Sequence, residues 1–67
     1  MVVIKVKAIS MEDEMAIKDT LVIVDNIKLI SMYENDPTKS VIAFNSSMWV
    51  KVDETVDELY SKIMKEL

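Results

Sequence analysis

Val41-Ile42-Ala43-Phe44, Asn45-Ser46-Ser47, Met48-Trp49-Val50-Lys51-Val52, then Asp53-Glu54-Thr55-Val56-Asp57-Glu58-Leu59 and on to Leu67: this run decides the fold. Two β-branched and aromatic segments flank a short polar cluster, which reads as a hairpin. The chain contains no glycine, so Asn45 is the residue best suited to a positive φ in that turn. Thr55-Val56-Asp57-Glu58 is a capping box, in which the Thr55 hydroxyl accepts from the third helical amide and Glu58 reaches back. Val56, Leu59, Tyr60, Ile63, Met64 and Leu67 follow at i, i+3, i+4, i+7, i+8 and i+11, one apolar stripe of an amphipathic helix. Asp57 and Glu58 suit its N-terminus, and Lys62 and Lys65 its last turns.

Working back toward the N-terminus, Glu34-Asn35-Asp36-Pro37-Thr38-Lys39-Ser40 is the clearest loop signal in the chain. Ile27 to Glu34 and Thr20 to Val24 read as strands, the second apolar enough to be buried on both faces. Glu12-Asp13-Glu14 belongs to a polar connection, where Ser10 is placed to cap a single turn. Val2 to Ile9 alternates as a strand, with Val2, Ile4, Val6 and Ala8 on one side and Val3, Lys5 and Lys7 on the other. The expected architecture is α+β: a small antiparallel sheet of four to five strands with one C-terminal amphipathic helix packed on one face. Residues 1–67 make a single domain.

The faces follow from the hairpin. With a two- or four-residue loop, Val41 and Ala43 meet Met48, Val50 and Val52 on one side, which suits the helix stripe. The opposite side then carries Ile42, Phe44, Trp49 and Lys51, with Lys5 and Lys7 of the first strand beside them. An aromatic and aliphatic patch on so small a domain has three readings: a connection covers it, two copies of the chain bury it, or another molecule does.

Composition excludes much chemistry. There is no cysteine and no histidine, so disulfides, thiolate nucleophiles and Ser-His relays are absent. Without glycine there is no phosphate-cradling loop. No catalytic residue, cofactor or metal is expected. Asp53, Glu54, Asp57 and Glu58 sit where a helix N-terminus favours acids without any ligand. Of six methionines Met1 is the start; Met11, Met15, Met32, Met48 and Met64 could form an adaptable surface, but most read as gap-fillers. Eight basic residues, all lysine, oppose twelve acids for a net charge of −4, a poor basis for nucleic-acid binding. The longest apolar runs are four residues, far below the ~20 of a membrane span. No signal peptide is visible, and a cytoplasmic location is expected.

The hairpin, its Asn45-Ser46-Ser47 turn, and Asp53-Glu54-Thr55-Val56-Asp57-Glu58-Leu59 together resemble the FlbD-type small flagellar and swarming-motility proteins. Ile27 and Ile30 match an Ile-x-x-Ile that precedes the hairpin in those proteins, and Val3 to Ala8 match their opening strand. A serine stands where their turn has glycine, and the Ser10 to Thr20 segment is longer than their first hairpin. The resemblance implies a cytoplasmic accessory protein that acts through contacts and has no catalytic residues; the richness in Ile, Lys, Asp and Glu without Arg suits a bacterial or phage origin. The expected function is therefore a non-enzymatic protein-protein interaction module, a homo-oligomer with a dimer as first expectation. Its contact surface is Ile42, Phe44, Trp49 and Lys51, with Lys5 and Lys7. The alternatives are a phage-encoded inhibitor of a host protein, including a DNA mimic, and a single-stranded nucleic-acid binder.

Overall fold

A computed structural model of the chain describes residues 1–10, 12, 13 and 16–67. Met11, Glu14 and Met15 lie outside the described residues, and with them part of the acidic connection and two of the methionines. The elements are β1 (Val3–Ile9), β2 (Ile17–Ile23), β3 (Leu29–Tyr33), β4 (Asp36–Ala43), β5 (Trp49–Val52) and α1 (Val56–Glu66). The five strands form one antiparallel sheet in the order β2-β1-β5-β4-β3, with α1 packed on one face, an α+β fold.

β1 and β2 pair in unbroken register from Val3 opposite Ile23 to Ile9 opposite Ile17. β2 thus starts three residues earlier than its apolar run suggests, because Ile17, Lys18 and Asp19 gain partners on β1. Ser10 is bonded as a turn cap, and the segment it leads into lies partly outside the described residues. Its hydroxyl oxygen accepts from the backbone N–H of Glu12 and of Asp13 and shapes the start of the connection. From β2 the chain must reach β3 on the opposite edge within Val24–Lys28, which includes a 3₁₀ turn. Four strand spacings of ~4.8 Å make ~19 Å across a flat sheet, close to the full reach of such a segment. The sheet therefore coils around the helix side, and Val24 and Ile27 pack against the core.

Two turns differ from expectation. The Pro37 cluster is mostly strand, and the turn shrinks to Glu34-Asn35, with Glu34 at φ 46°. Proline is tolerated because β4 outruns its neighbour: β5 pairs only with Ser40 to Ala43. The Asp36 carboxylate accepts from the backbone and hydroxyl of Thr38, closing that end of the strand. Asn45 does not take a positive φ; among the described residues Glu34 alone does. Instead the Asn45 carboxamide oxygen accepts from the N–H of Ser47 and Met48, and Phe44 N–H donates to Met48 C=O.

This turn has an odd number of residues, and the parity of β4 follows from it. Ile42 stands opposite Val50, Val41 opposite Lys51, and Ala43 opposite Trp49. The helix-side core is Ile4, Val6, Val22, Ile42, Val52 and Leu59, flanked by Ile30, Phe44, Val50 and Ile63. The assignment of Val41 and Ala43 to the helix face is therefore reversed, whereas that of Val50 and Val52 holds. On α1, Thr55 and Glu58 form the reciprocal capping box. Leu59 and Ile63 point inward, while Tyr60, Met64 and Leu67 stay exposed. The coiled sheet covers only part of the stripe.

Candidate functional site

Of the six residues expected on one surface, the structure separates two. Ile42 is 0% exposed at the centre of the core, and Phe44 packs on its rim. Neither belongs to the open face, because the odd hairpin loop turns them toward α1. Trp49, Lys51, Lys5 and Lys7 do share the open face. They are not one cluster, however. Ile9 stands opposite Lys51, so Trp49 lies beyond the end of β1 while Lys7 lies in the other direction. Their levels along the strands differ by four residues, about 13 Å.

Lys51 is placed on the open face and is nevertheless only 4% exposed. Its ammonium sits 4.0 Å from the centroid of the Tyr33 ring, a cation-π contact. With Ile9, also buried, it closes the middle of the face. Its charge is engaged inside the protein and not presented to solvent.

One open part of this face surrounds Trp49, 43% exposed. Leu29 pairs with Ala43 and Ala43 pairs with Trp49, so three strands place a leucine, an alanine and an indole in one row. The small central residue leaves a trough between two large ones. It forms a groove of about 460 Å³ lined by Leu29, Val41, Ala43 and Trp49, with Lys28 and Asn45 at its rim. Lys28 is anchored through its backbone N–H to the Ala43 carbonyl, and the Asn45 side chain fixes the turn. Such a groove accepts an apolar side chain; a single lysine at its rim suits a nearby acid.

No protein family, no curated protein and no solved structure matches the chain.

The acidic residues serve the fold. Asp57 and Glu58 lie in the first turn of α1 as expected, but Glu54 has a different task. It is buried, and its carboxylate accepts from the backbone N–H of Lys7 at 3.0 Å and pairs with the Lys62 ammonium. The same ammonium donates to the Lys5 carbonyl at 2.8 Å. β5 pairs with β1 only at Ala8 and Ile9, so the remaining polar groups on that edge of β1 need other partners. Glu54 and Lys62 act as side-chain substitutes for the missing strand. The Ser40 hydroxyl donates to the Glu54 carbonyl and locks the same corner. Next to that corner, Lys39 bridges Asp36 and Asp53. Among the described residues no three acidic side chains gather where a metal ion could sit, and no helix is long and apolar enough to cross a membrane.

Proposed function

We propose that this chain is a non-enzymatic protein-binding module of the cytoplasm that works as a homo-oligomer, and that the groove beside Trp49 receives an apolar side chain of a different protein. The carrying observation is the Leu29-Ala43-Trp49 row, two exposed large residues around a small one, opening an apolar trough on the face away from the helix. Exposed aromatic residues in grooves are the usual anchors of protein contacts. The hairpin and capped helix that carry the resemblance to FlbD-type proteins, themselves contact proteins, support the same reading.

The geometry disfavours the alternatives. Stacking of single-stranded nucleic acid needs cations converging on the ring. Lys51 is buried against Tyr33, and Lys5 and Lys7 lie at a distance along the sheet. A DNA mimic needs an unbroken negative surface. Asp36, Asp53 and Glu54 are instead held by Lys39 and Lys62.

The test is site-specific photo-crosslinking in the producing cell, with a photoreactive phenylalanine analogue placed at Trp49 or, as control, at exposed Tyr60 on the helix. One discrete adduct with a different protein from position 49, and none from 60, is the expected result. No adduct at 49, or the same adducts from both positions, overturns the groove as contact surface.

A further inference from the structure

β2 is one of the two edge strands of the sheet. Val24 N–H donates to Val2 C=O, and Ser10 N–H to Ala16 C=O. These bonds fix the phase of the β1-β2 ladder: even-numbered residues of β2 bond to β1. The peptide groups of Ile17, Asp19, Leu21 and Ile23 therefore turn outward. Natural sheets protect such edges with bulges, prolines or short strands. The other edge, β3, is five residues long, and its register with β4 breaks between Met32 and Tyr33, where residues 37–39 of β4 have no partner on it. β2 is seven residues long, regular, and free of proline. Its open-face side chains Ile17, Leu21 and Ile23 are exposed, Leu21 by 70%.

From these features we infer that β2 pairs antiparallel with β2 of a second copy about a two-fold axis at Thr20, joining two five-stranded sheets into one. This deepens the homo-oligomer part of the reading above and does not use the groove. Charge selects the register. Centred on Thr20, all seven residues pair, Ile17 meets Ile23 of the second copy, and Asp19 meets Leu21. Centred on Asp19, two carboxylates would stand directly opposite, which is destabilising. Centred on Leu21, Ile17 loses its partner. In the Thr20 register Asp19 is also flanked by Lys7 and Leu21 by Lys5 on their own sheets. The row across the junction then reads Lys7, Asp19, Leu21, Lys5, with no like charges adjacent. A strand of ~23 Å covers far less than the ~800 Å² per partner of a standard interface, so the dimer dissociates on dilution.

Analytical ultracentrifugation of the full chain from 10 µM to 1 mM tests this, with far-UV circular dichroism to verify folding of each variant. The wild type is expected to shift from monomer toward dimer as concentration rises. Leu21→Asp places an acid against Asp19 and is expected to weaken the dimer about tenfold. Leu21→Lys places a cation there and is expected to associate at least as tightly as the wild type. Trp49→Lys is expected to leave association unchanged. A monomer at every concentration overturns the inference. So do two Leu21 variants that behave alike, and so does a dimer dissolved by Trp49→Lys, which would assign self-association to the groove instead.

Discussion

Ile42 and Trp49 stand on opposite faces only because the hairpin loop is odd, and this can be tested directly. Ile42 is fully enclosed by the core, Trp49 is 43% exposed, and the two lie on adjacent strands. Truncating a buried isoleucine to alanine removes its transfer free energy and leaves a cavity, together about 2–5 kcal/mol. At zero exposure beneath a helix, Ile42→Ala belongs in the middle of that range, about 3–4 kcal/mol. A chain of this length has a total stability of roughly 3–10 kcal/mol, so the substitution removes a third of it or more. At about 4–8 °C per kcal/mol, the melting midpoint falls by at least ~12 °C. Trp49→Ala loses contacts on one side of a half-exposed ring, about 1 kcal/mol. Urea unfolding followed by far-UV circular dichroism measures both without the indole as reporter. If Trp49→Ala costs as much as Ile42→Ala, the indole is buried and the groove beside it is not open.

Two further outcomes follow from the polar contacts. Glu54→Ala strips the Lys7 amide of its acceptor and leaves the half-exposed Lys62 ammonium only the Lys5 carbonyl; the expected loss is about 2–3 kcal/mol, with Lys62 hydration holding it below the full range for a buried pair, and selectively faster amide exchange at Lys7, which an unaltered rate there would refute. Two carboxyls titrate low: the Thr55 N–H and then its hydroxyl hold Glu58 below its ordinary 4.5, and the Thr38 hydroxyl and then its N–H hold Asp36 below 3.8. Folded values below unfolded ones mean that this stabilisation is complete above the unfolded values and is lost as pH falls through the folded ones. Urea midpoints should be level from pH 5.5 to 8, where no histidine titrates, and fall below about pH 4.5, less steeply in Glu58→Gln; a midpoint higher at pH 3 than at pH 7 would contradict the assignment.

The helix was legible because two local signals agree: the Thr55/Glu58 box fixes its start, and the spacing of Leu59 and Ile63 fixes its inner face. β5 was legible by alternation. β4 was not, since its face depends on whether the loop is odd or even, and a chain without glycine carries no turn signature that sets loop length. The same gap hid the groove. Leu29, Ala43 and Trp49 form a large-small-large row only once the register across three strands is known. Pro37 suggested a loop because proline is hostile to a paired strand, but β4 is unpaired by β5 at that point. Lys51 and Glu54 were unreadable for a different reason. A charged residue at a strand position reads as solvent-facing, and only tertiary structure brings the Tyr33 ring or the Lys62 ammonium that permits burial. The widest discrepancy is on the helix, where Tyr60, Met64 and Leu67 complete a stripe for which the sheet has no surface.

That excess is general in this molecule and bears on how it works. The sheet is two local units, the β1-β2 hairpin and the β3-β4-β5 meander, joined by two residue pairs and completed by Glu54 and Lys62. A thin core lies on one side of that joint. Trp49 and Leu29 on the open face, Leu21 on the edge and Tyr60 on the helix remain uncovered. For a domain with only roughly 3–10 kcal/mol in hand, covering any of these surfaces has a large relative effect. A ligand at one hundred times its dissociation constant adds about 2.7 kcal/mol to the folded state. Binding at the groove or pairing at β2, as proposed, would therefore shift stability by as much as losing a core side chain does. On the proposed reading, partner occupancy and folding would be linked quantities in this chain, and the surfaces left uncovered in the isolated protein would be the ones that a partner covers.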